Sequence, residues 1–430
     1  MRYADAEMVT SASSAGGSQG SDESSTAMEH KLTIARDPGD ISRGAALKFV
    51  VLLGVVSLFS DMTYEGARSI TGPYLALLGA SGVVVGFVAG LGELIGYALR
   101  LVSGYLADRT ERYWAITLLG YGLNLFAVPL LALAGRWELA AALMIAERVG
   151  KAIRTPARDA MLSYATKEVG HGWGFGLHEA MDQAGAVLGP LAVAAVLAFR
   201  GGYRLGFGVL LVPALCAYSV LTAAWRLYPR PRHLETTSDS GGEETFPRVF
   251  WLYLAGAALI AAGYADFPLI AYHFGRRNII PANWIPVFYA FAMGVDALAA
   301  LIFGPLFDRR GLAILIVAAL LSSLFAPLVF FGGFSPALAG MALWGVGMGA
   351  QDSILRAAIA GMIPPERRGS AYGLFNMGYG VAWFLGSALM GYLYDSSLQG
   401  LVWFSVIVQL AAIPFFVLVA NARQQRSLSS

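Results

Sequence analysis

After Ser42 the chain alternates long apolar stretches with short polar breaks, and each stretch is close to the roughly twenty residues that a tilted membrane-spanning helix needs. This pattern predicts spans at 46–79, 83–106, 113–134, 138–165, 172–199, 203–227, 248–274, 283–307, 311–332, 336–362, 369–394 and 399–421. The longest break, Pro229 to Pro247, carries Arg230, Arg232, Asp239, Glu243 and Glu244 and divides the chain into six spans and six. The expected fold is all-α and integral to the membrane, with twelve transmembrane helices in two pseudo-symmetric six-helix bundles, 43–228 and 248–421. A linker, 229–247, joins the bundles, and a short tail, 422–430, follows them. The first 42 residues are small, polar and charged, the composition of a segment that cannot offset its ordering entropy, and are expected to be a disordered tail. They lack the basic and apolar regions of a secretory signal.

The halves repeat. Gly104-Tyr-Leu-Ala-Asp108-Arg109 closes the second span, and Gly304-Pro-Leu-Phe-Asp308-Arg309 closes the eighth. Gly150, Ala160, Gly172, Gly176, Leu177 and Gly189 match Gly347, Ala357, Gly369, Gly373, Leu374 and Gly386 at a constant offset. Parallel halves of this kind hold a midplane site between two bundles that rock about it.

Composition agrees with a lipid environment. Hydrophobic residues make up 57% of the 430 and charged ones 13%, with a mean hydropathy of +0.60, which leaves too little polar surface for a soluble protein of this length. The net charge of +2 gives no argument for nucleic acid. A lone Cys216 excludes a disulfide framework and a thiolate metal cage, and five histidines make no His-rich site, so neither metal nor cofactor is expected. Basic residues gather at alternate connections: Lys48, Arg109 with Arg112, Lys167, Arg226 to Arg232, Arg309 with Arg310, Arg367 with Arg368, and Arg423 with Arg426. Both termini and the middle loop are therefore expected on the cytoplasmic side of a bacterial inner membrane.

The segment Gly104-Tyr-Leu-Ala-Asp108-Arg109-Thr-Glu111-Arg112 resembles the signature between spans two and three of the major facilitator superfamily, with Glu111 where that family has glycine. A different loop turn is expected there. Span four, with Arg148, Gly150-Lys151, Arg154, Pro156 and Arg158-Asp159, is similar to the superfamily's arginine motif and to a bacterial branch that shares this spacing. In span five, Gly176, Gly185 and Gly189-Pro190 match the spacing of the motif of proton-driven drug antiporters, although Val193 and Ala194 replace the double glycine that often follows. The resemblance covers everything after the tail. It implies a secondary carrier, proton-coupled and exporting, with a small-molecule substrate and protons as its partners.

Asp61, Glu65 and Arg68 stand at i, i+4 and i+7, on one face of the first span. A charge at the centre of a lipid-facing helix costs roughly 2.5 to 3.5 kcal/mol, so the stripe has to face the bundle interior or a wet cavity. It is read as a transport site ahead of a self-neutralised structural cluster. Glu147, Lys151, Arg154 and Arg158 form a second stripe on span four. Asp108, at a helix end, can face the positive end of span eleven near Gly369 and Ser370 and latch the halves. Gly104, Arg109, Arg112 and Asp308 belong with it in a cytoplasmic gate, as do Arg154, Arg158 and Asp159, Pro156 marking the end region of their helix. Arg148 lies deeper and is assigned to exchange with Asp61 or Glu65 in one conformational state. Glu93, Asp182 and Asp296 are read as lone mid-membrane carboxylates, each either a proton carrier or a neutral acid donating one interhelical hydrogen bond. His178 is expected to be solvated, and Asp352 to pair with Arg356 within span ten. Tyr64, Trp173, Tyr379 and Trp383 fit a cavity lining, but aromatics near span ends more often anchor the membrane interface.

A secondary carrier acting as a monomer is thus the leading expectation, with a proton-coupled uptake symporter as the alternative direction. No phosphate-cradling Gly-x-x-x-x-Gly-Lys-Ser/Thr loop is present. A membrane-embedded transferase would need acid–base carboxylates, but the chain has neither a His-Glu-x-x-His motif nor an extended soluble domain. A non-transporting sensor on the same fold is the third class, because fold alone does not prove function.

Overall fold

The computed structural model describes residues 43–169, 171–199, 201–229, 246–360, 362–363 and 368–429, with the side chains of Asp108, Trp173, Arg356, Gly369 and Ser370 outside the description. The expected tail 1–42 and most of the expected linker fall outside these residues, as do the Asp108 latch and the Asp352–Arg356 pair. Among the described residues the secondary structure is helical, with no strand. That follows from the solvent: in hydrocarbon every backbone N–H and C=O has to be satisfied within its own segment. Among the described residues, nine segments are long and apolar enough to cross a membrane, from Gly44–Leu77 to Leu398–Ala422. The chain is a multi-pass membrane protein.

In chain order the helices are α1 (Arg43–Leu77), α2 (Gly82–Thr110), α3 (Tyr113–Leu130), α4 (Trp137–Val169), α5 (His171–Ala198), α6 (Tyr203–Val209), α7 (Leu211–Leu227), α8 (Arg248–Gly263) and α9 (Phe267–Arg277). They continue as α10 (Ile285–Arg310), α11 (Ala313–Ser323), α12 (Phe325–Phe331), α13 (Phe334–Ala360), α14 (Arg368–Ser396) and α15 (Leu398–Ser429). Three single expected spans are therefore each broken into two helices, and one rule locates all three breaks. A proline at position i cannot donate to the carbonyl at i−4. Pro213, Pro268 and Pro327 leave the carbonyls of Val209, Tyr264 and Ser323 without that donor, and α6 ends at Val209, α8 just before Tyr264 and α11 at Ser323.

Pro156 acts differently. The helix runs through it to Val169, against the expectation that it marks the helix end. The carbonyl it frees, that of Ala152, accepts instead from Ser103 Oγ of α2 at 2.9 Å. The turn after α2 is also kept in spite of Glu111. This residue adopts φ 55°, the left-handed conformation suited to glycine, and its N–H donates to Ala107 O at 2.9 Å. A non-glycine residue there costs roughly 1 to 2 kcal/mol.

α1 lies against α4, α5, α7 and α9, while α2 runs along α14 and α10 packs on α13 and α5. The repeated glycines occupy equivalent seams. A Cβ on Gly189 of α5 would fall 2.3 Å from Met62 O of α1, and one on Gly386 of α14 would fall 2.0 Å from Ala262 O of α8. Backbone touches backbone at both places, the close approach that small residues permit between membrane helices.

At the end marked by Gly79, elements from before and after residue 247 are tied together. The Asp395 carboxylate, at the end of α14, accepts from Gly82 N at 3.1 Å and Val83 N at 2.9 Å, the first amides of α2. Tyr272 Oη donates to Ala80 O at 3.1 Å. A Cβ on Gly72 would meet Pro268 O at 2.0 Å.

Candidate functional site

The stripe on α1 turns inward, as its desolvation demands, and its members meet partners from four other segments. Arg68 Nη2 lies 3.1 Å from Glu93 Oε1 of α2 and 3.6 Å from Asp266 Oδ1, at the break between α8 and α9. The same Glu93 oxygen is 3.2 Å from Arg148 Nη2 of α4. One carboxylate oxygen is thus shared by two guanidinium groups. Arg148 Nε also approaches Glu147 Oε2 at 3.4 Å, and Asn124 Nδ2 of α3 donates to Glu147 Oε1 at 2.8 Å. Glu65 Oε2 accepts from Tyr289 Oη of α10 at 2.5 Å.

Asp266 is 2% exposed and has its other contacts on α14. Trp383 Nε1 donates to Oδ1 at 2.9 Å, and Ser387 Oγ donates to Oδ2 at 2.6 Å. The helix break lets this carboxylate reach both α1 and α14. Through Arg68–Asp266 and Glu65–Tyr289 the network joins the part of the chain before residue 247 to the part after it.

Nearer the other end of α1, Asp61 is buried and its Oδ1 has no hydrogen-bond donor among the described residues. Gly185 of α5 packs against it, since a Cβ there would stand 2.9 Å from Asp61 Cβ. Lys151 Nζ sits 3.8 Å from the centre of the Tyr64 ring, and the Arg154 guanidinium sits 4.2 Å from that of Tyr121. Both are cation–π placements, which stabilise a desolvated cation by up to about 2 kcal/mol or more. A second polar cluster follows around Ser57. Its Oγ donates to Asp182 Oδ1 at 2.6 Å, accepts from Arg158 Nη1 at 3.3 Å and lies 3.3 Å from His178 Nε2. Arg158 Nη2 pairs in turn with Asp159 at 2.7 Å.

A cavity opens beside the Glu93 junction. Its polar wall is Tyr64, Arg68, Thr71, Glu147 and Arg148, and its apolar wall includes Val88, Val128, Leu131, Met144 and Pro268.

Several expectations change. Glu93 is no lone carboxylate, because both arginines hold it, and Asp182 is bonded to Ser57. Arg148 meets Glu93 and Glu147 in this structure, and its exchange with Asp61 or Glu65 stays an expectation for another conformational state; α2 packs on α4, which one-helix periodicity cannot register. Arg154, assigned to the cytoplasmic gate, is 1% exposed and lies against the Tyr121 ring. His178 is buried, since its ring faces Ser57. Tyr64, Tyr379 and Trp383 are buried as well, not set at an interface. Asp296 is buried on α10, and its Oδ1 has no donor among the described residues. Of the remaining gate residues, Arg109 takes Tyr105 Oη at 2.9 Å, Gly104 approaches Pro156, and Arg112 and Asp308 are exposed. In the span-five motif Gly185 and Gly189 touch the α1 backbone, whereas a Cβ on Gly176 would meet nothing within 4 Å; Pro190 lies within α5.

The model of the Major Facilitator Superfamily matches residues 53–279 and 265–429. The chain belongs to the Major Facilitator Superfamily. An uncharacterized protein of Mycobacterium tuberculosis is 45% identical over 376 residues, covering 86% of this chain and 92% of that one. An uncharacterized MFS-type transporter of Methanocaldococcus jannaschii is 27% identical over 81% of this chain and 89% of its own length. Among solved structures, the nucleoside transporter NupG aligns with a TM-score of 0.67 at 11% identity, over 87% of this chain and 98% of that one, a likeness of fold. This superfamily member therefore carries the transporter fold. Its sequence did not single out Asp266 or Tyr289, the residues that extend the network past residue 247. The available signal for Asp266 was a carboxylate two positions before Pro268 in an otherwise apolar run.

Proposed function

We propose that this protein is a secondary active transporter that moves a small solute by alternating access, coupled to protons. Twelve spans in two six-helix bundles would rock about the buried network, with both termini on the cytoplasmic side of the inner membrane and the monomer as the working unit. The observation that carries the reading is the network itself: Arg68 meets Asp266, and Glu65 meets Tyr289, across the two halves of the chain. Any rocking of one half against the other changes which cation or hydroxyl each carboxylate faces. An opposite charge nearby favours the ionised form, and its removal favours the protonated one. Proton uptake and release are then tied to conformation. Asp61, buried beside the α1–α5 seam with an oxygen lacking a donor among the described residues, is assigned to proton carriage together with Glu65 and Glu93, while Asp182 and Asp296 remain accessory carboxylates. The equivalent seams at Gly189 and Gly386 support the two-bundle arrangement, and the contacts at the Gly79 end support a state closed on that side.

The test is flux. The purified protein in proteoliposomes under an imposed pH gradient should accumulate at least one component of a mixture of labelled metabolites. Asp61→Asn or Glu65→Gln should abolish that accumulation while leaving membrane insertion intact, since removing a buried charge makes insertion easier. Undiminished gradient-driven flux in both variants would return the stripe to a structural role.

A further inference from the structure

The junction at Glu93 has a feature that an ion pair formed for stability alone does not need. A single carboxylate oxygen, Oε1, is 3.1 Å from Arg68 Nη2 and 3.2 Å from Arg148 Nη2. Two permanently charged guanidinium groups, carried on different helices, converge on one acceptor. Arg68 keeps a buried Nε with no hydrogen-bond partner among the described residues, so it holds donor capacity that Glu93 does not use. Both arginines line a cavity, together with apolar side chains that include Val88, Val128 and Met144. Planar forks of N–H donors match carboxylates by geometry, and a buried guanidinium left without a partner is strongly destabilising. Asp266 and Glu147 give each arginine only a longer second contact, at 3.6 and 3.4 Å, so the seat between the guanidinium groups favours a carboxylate, and nothing requires that carboxylate to be Glu93.

We propose that the transported solute is a small organic carboxylate with an apolar body, and that its carboxylate takes the seat between Arg68 and Arg148 that Glu93 fills when the site is empty. This deepens the reading of the protein as a proton-coupled carrier and rests on it. When the solute enters, Glu93 is displaced and takes up a proton from water, so the site gains one anion and one proton and its charge is unchanged. Solute and proton then cross together. Of the two directions the sequence leaves open, this selects co-movement of solute and proton. The charged groups around Glu93 are compatible with that exchange: Arg68 from α1, Arg148, Glu147 and Lys151 from α4, Arg100 on its own helix, and Asp266 from beyond α8. Of these, Asp266 has its own donors in Trp383 and Ser387 and does not need the seat. The apolar lining residues are the surface the solute's body would meet as the cavity opens, and Glu147, held by Asn124, disfavours a second anionic group.

The experiment removes the internal carboxylate and supplies one from solution. Full-length Glu93→Ala in detergent is titrated with acetate, benzoate and octanoate, each against its amide and against chloride at equal ionic strength, and the unfolding temperature is read. The expected result is a saturable rise of several degrees with the carboxylates, larger for benzoate or octanoate than for acetate. The amides and chloride should have no effect, and the response should be lost in Glu93→Ala/Arg148→Gln. Equal response to carboxylate, amide and chloride would overturn the proposal. If Glu93→Ala does not yield folded protein, Glu93→Gln carries the same titration, and folded protein recovered only when benzoate is present during extraction counts in favour. A parallel flux assay on the unmodified protein separates the two readings. Gradient-driven transport of a solute lacking a carboxylate, without carboxylate stabilisation of the variants, overturns the solute class and keeps the carrier. Carboxylate-specific stabilisation without any gradient-driven flux supports the seat and overturns proton-coupled transport.

Discussion

Asp395 gives the sharpest handle on conformational change. Its carboxylate receives the amides of Gly82 and Val83 at 3.1 and 2.9 Å, while Ser81 Oγ receives that of Val84 at 3.3 Å. Three of the unpaired N–H groups at the start of α2 are thus satisfied, two of them from the far half of the chain. Losing a side-chain cap costs about 0.5 to 2 kcal/mol, and the charge at the positive helix end adds about 0.3 to 1 kcal/mol. Because the bond exists only while α2 and α14 meet at the Gly79 end, Asp395→Ala removes that free energy from one conformational state alone. A bias of one to two kcal/mol shifts a two-state ratio about five- to thirtyfold. The assay uses Cys216→Ser with Thr71→Cys, a buried position on the cavity wall, and a membrane-impermeant maleimide applied from the Gly79 side. Labelling should accelerate about fivefold or more in Asp395→Ala, and less in Asp395→Asn, whose amide oxygen still accepts. Equal labelling rates in folded samples of all three proteins would show that this contact does not hold the end closed.

Other outcomes follow from the same geometry. Gly189→Ala should destabilise by about 1 to 3 kcal/mol because its Cβ would collide with Met62 O, whereas Gly176→Ala should be neutral or stabilising; chemical denaturation of the two variants checks the contrast. Arg148→Gln and Glu93→Gln should show a coupling of roughly 0.5 to 3 kcal/mol in a double-mutant cycle, and Arg148→Gln with Asp61→Asn a smaller one. Strict additivity of the first pair would contradict the junction. Glu111→Gly should raise the unfolding temperature slightly, since it relieves a left-handed backbone of its side chain.

What the sequence showed and what it hid divide along one line. Periodicities within a single helix were legible. The apolar blocks located the helices, the i, i+4, i+7 spacing put Asp61, Glu65 and Arg68 on one face, and the constant offset between halves paired Gly189 with Gly386. Contacts between helices were not legible. Glu93 and Arg148 lie 55 positions apart by number, and only the packing of α2 on α4 brings them together. His178 was placed toward solvent because it lies near a span end, yet Ser57 supplies it with a buried partner, and the Tyr121 ring that covers Arg154 lies on another helix. The breaks at Val209, Tyr264 and Ser323 were written in the prolines four positions later, a signal that uniform apolar character concealed.

The central claim is that a buried carboxylate on α1 couples conformation to protons, and the most direct measurement is gradient-driven accumulation in proteoliposomes by the unmodified protein beside Asp61→Asn. Accumulation against a gradient that collapses with a protonophore, and that Asp61→Asn lacks while still performing downhill exchange, is the result this account predicts. Accumulation that persists in Asp61→Asn, or that is indifferent to the protonophore, would contradict it.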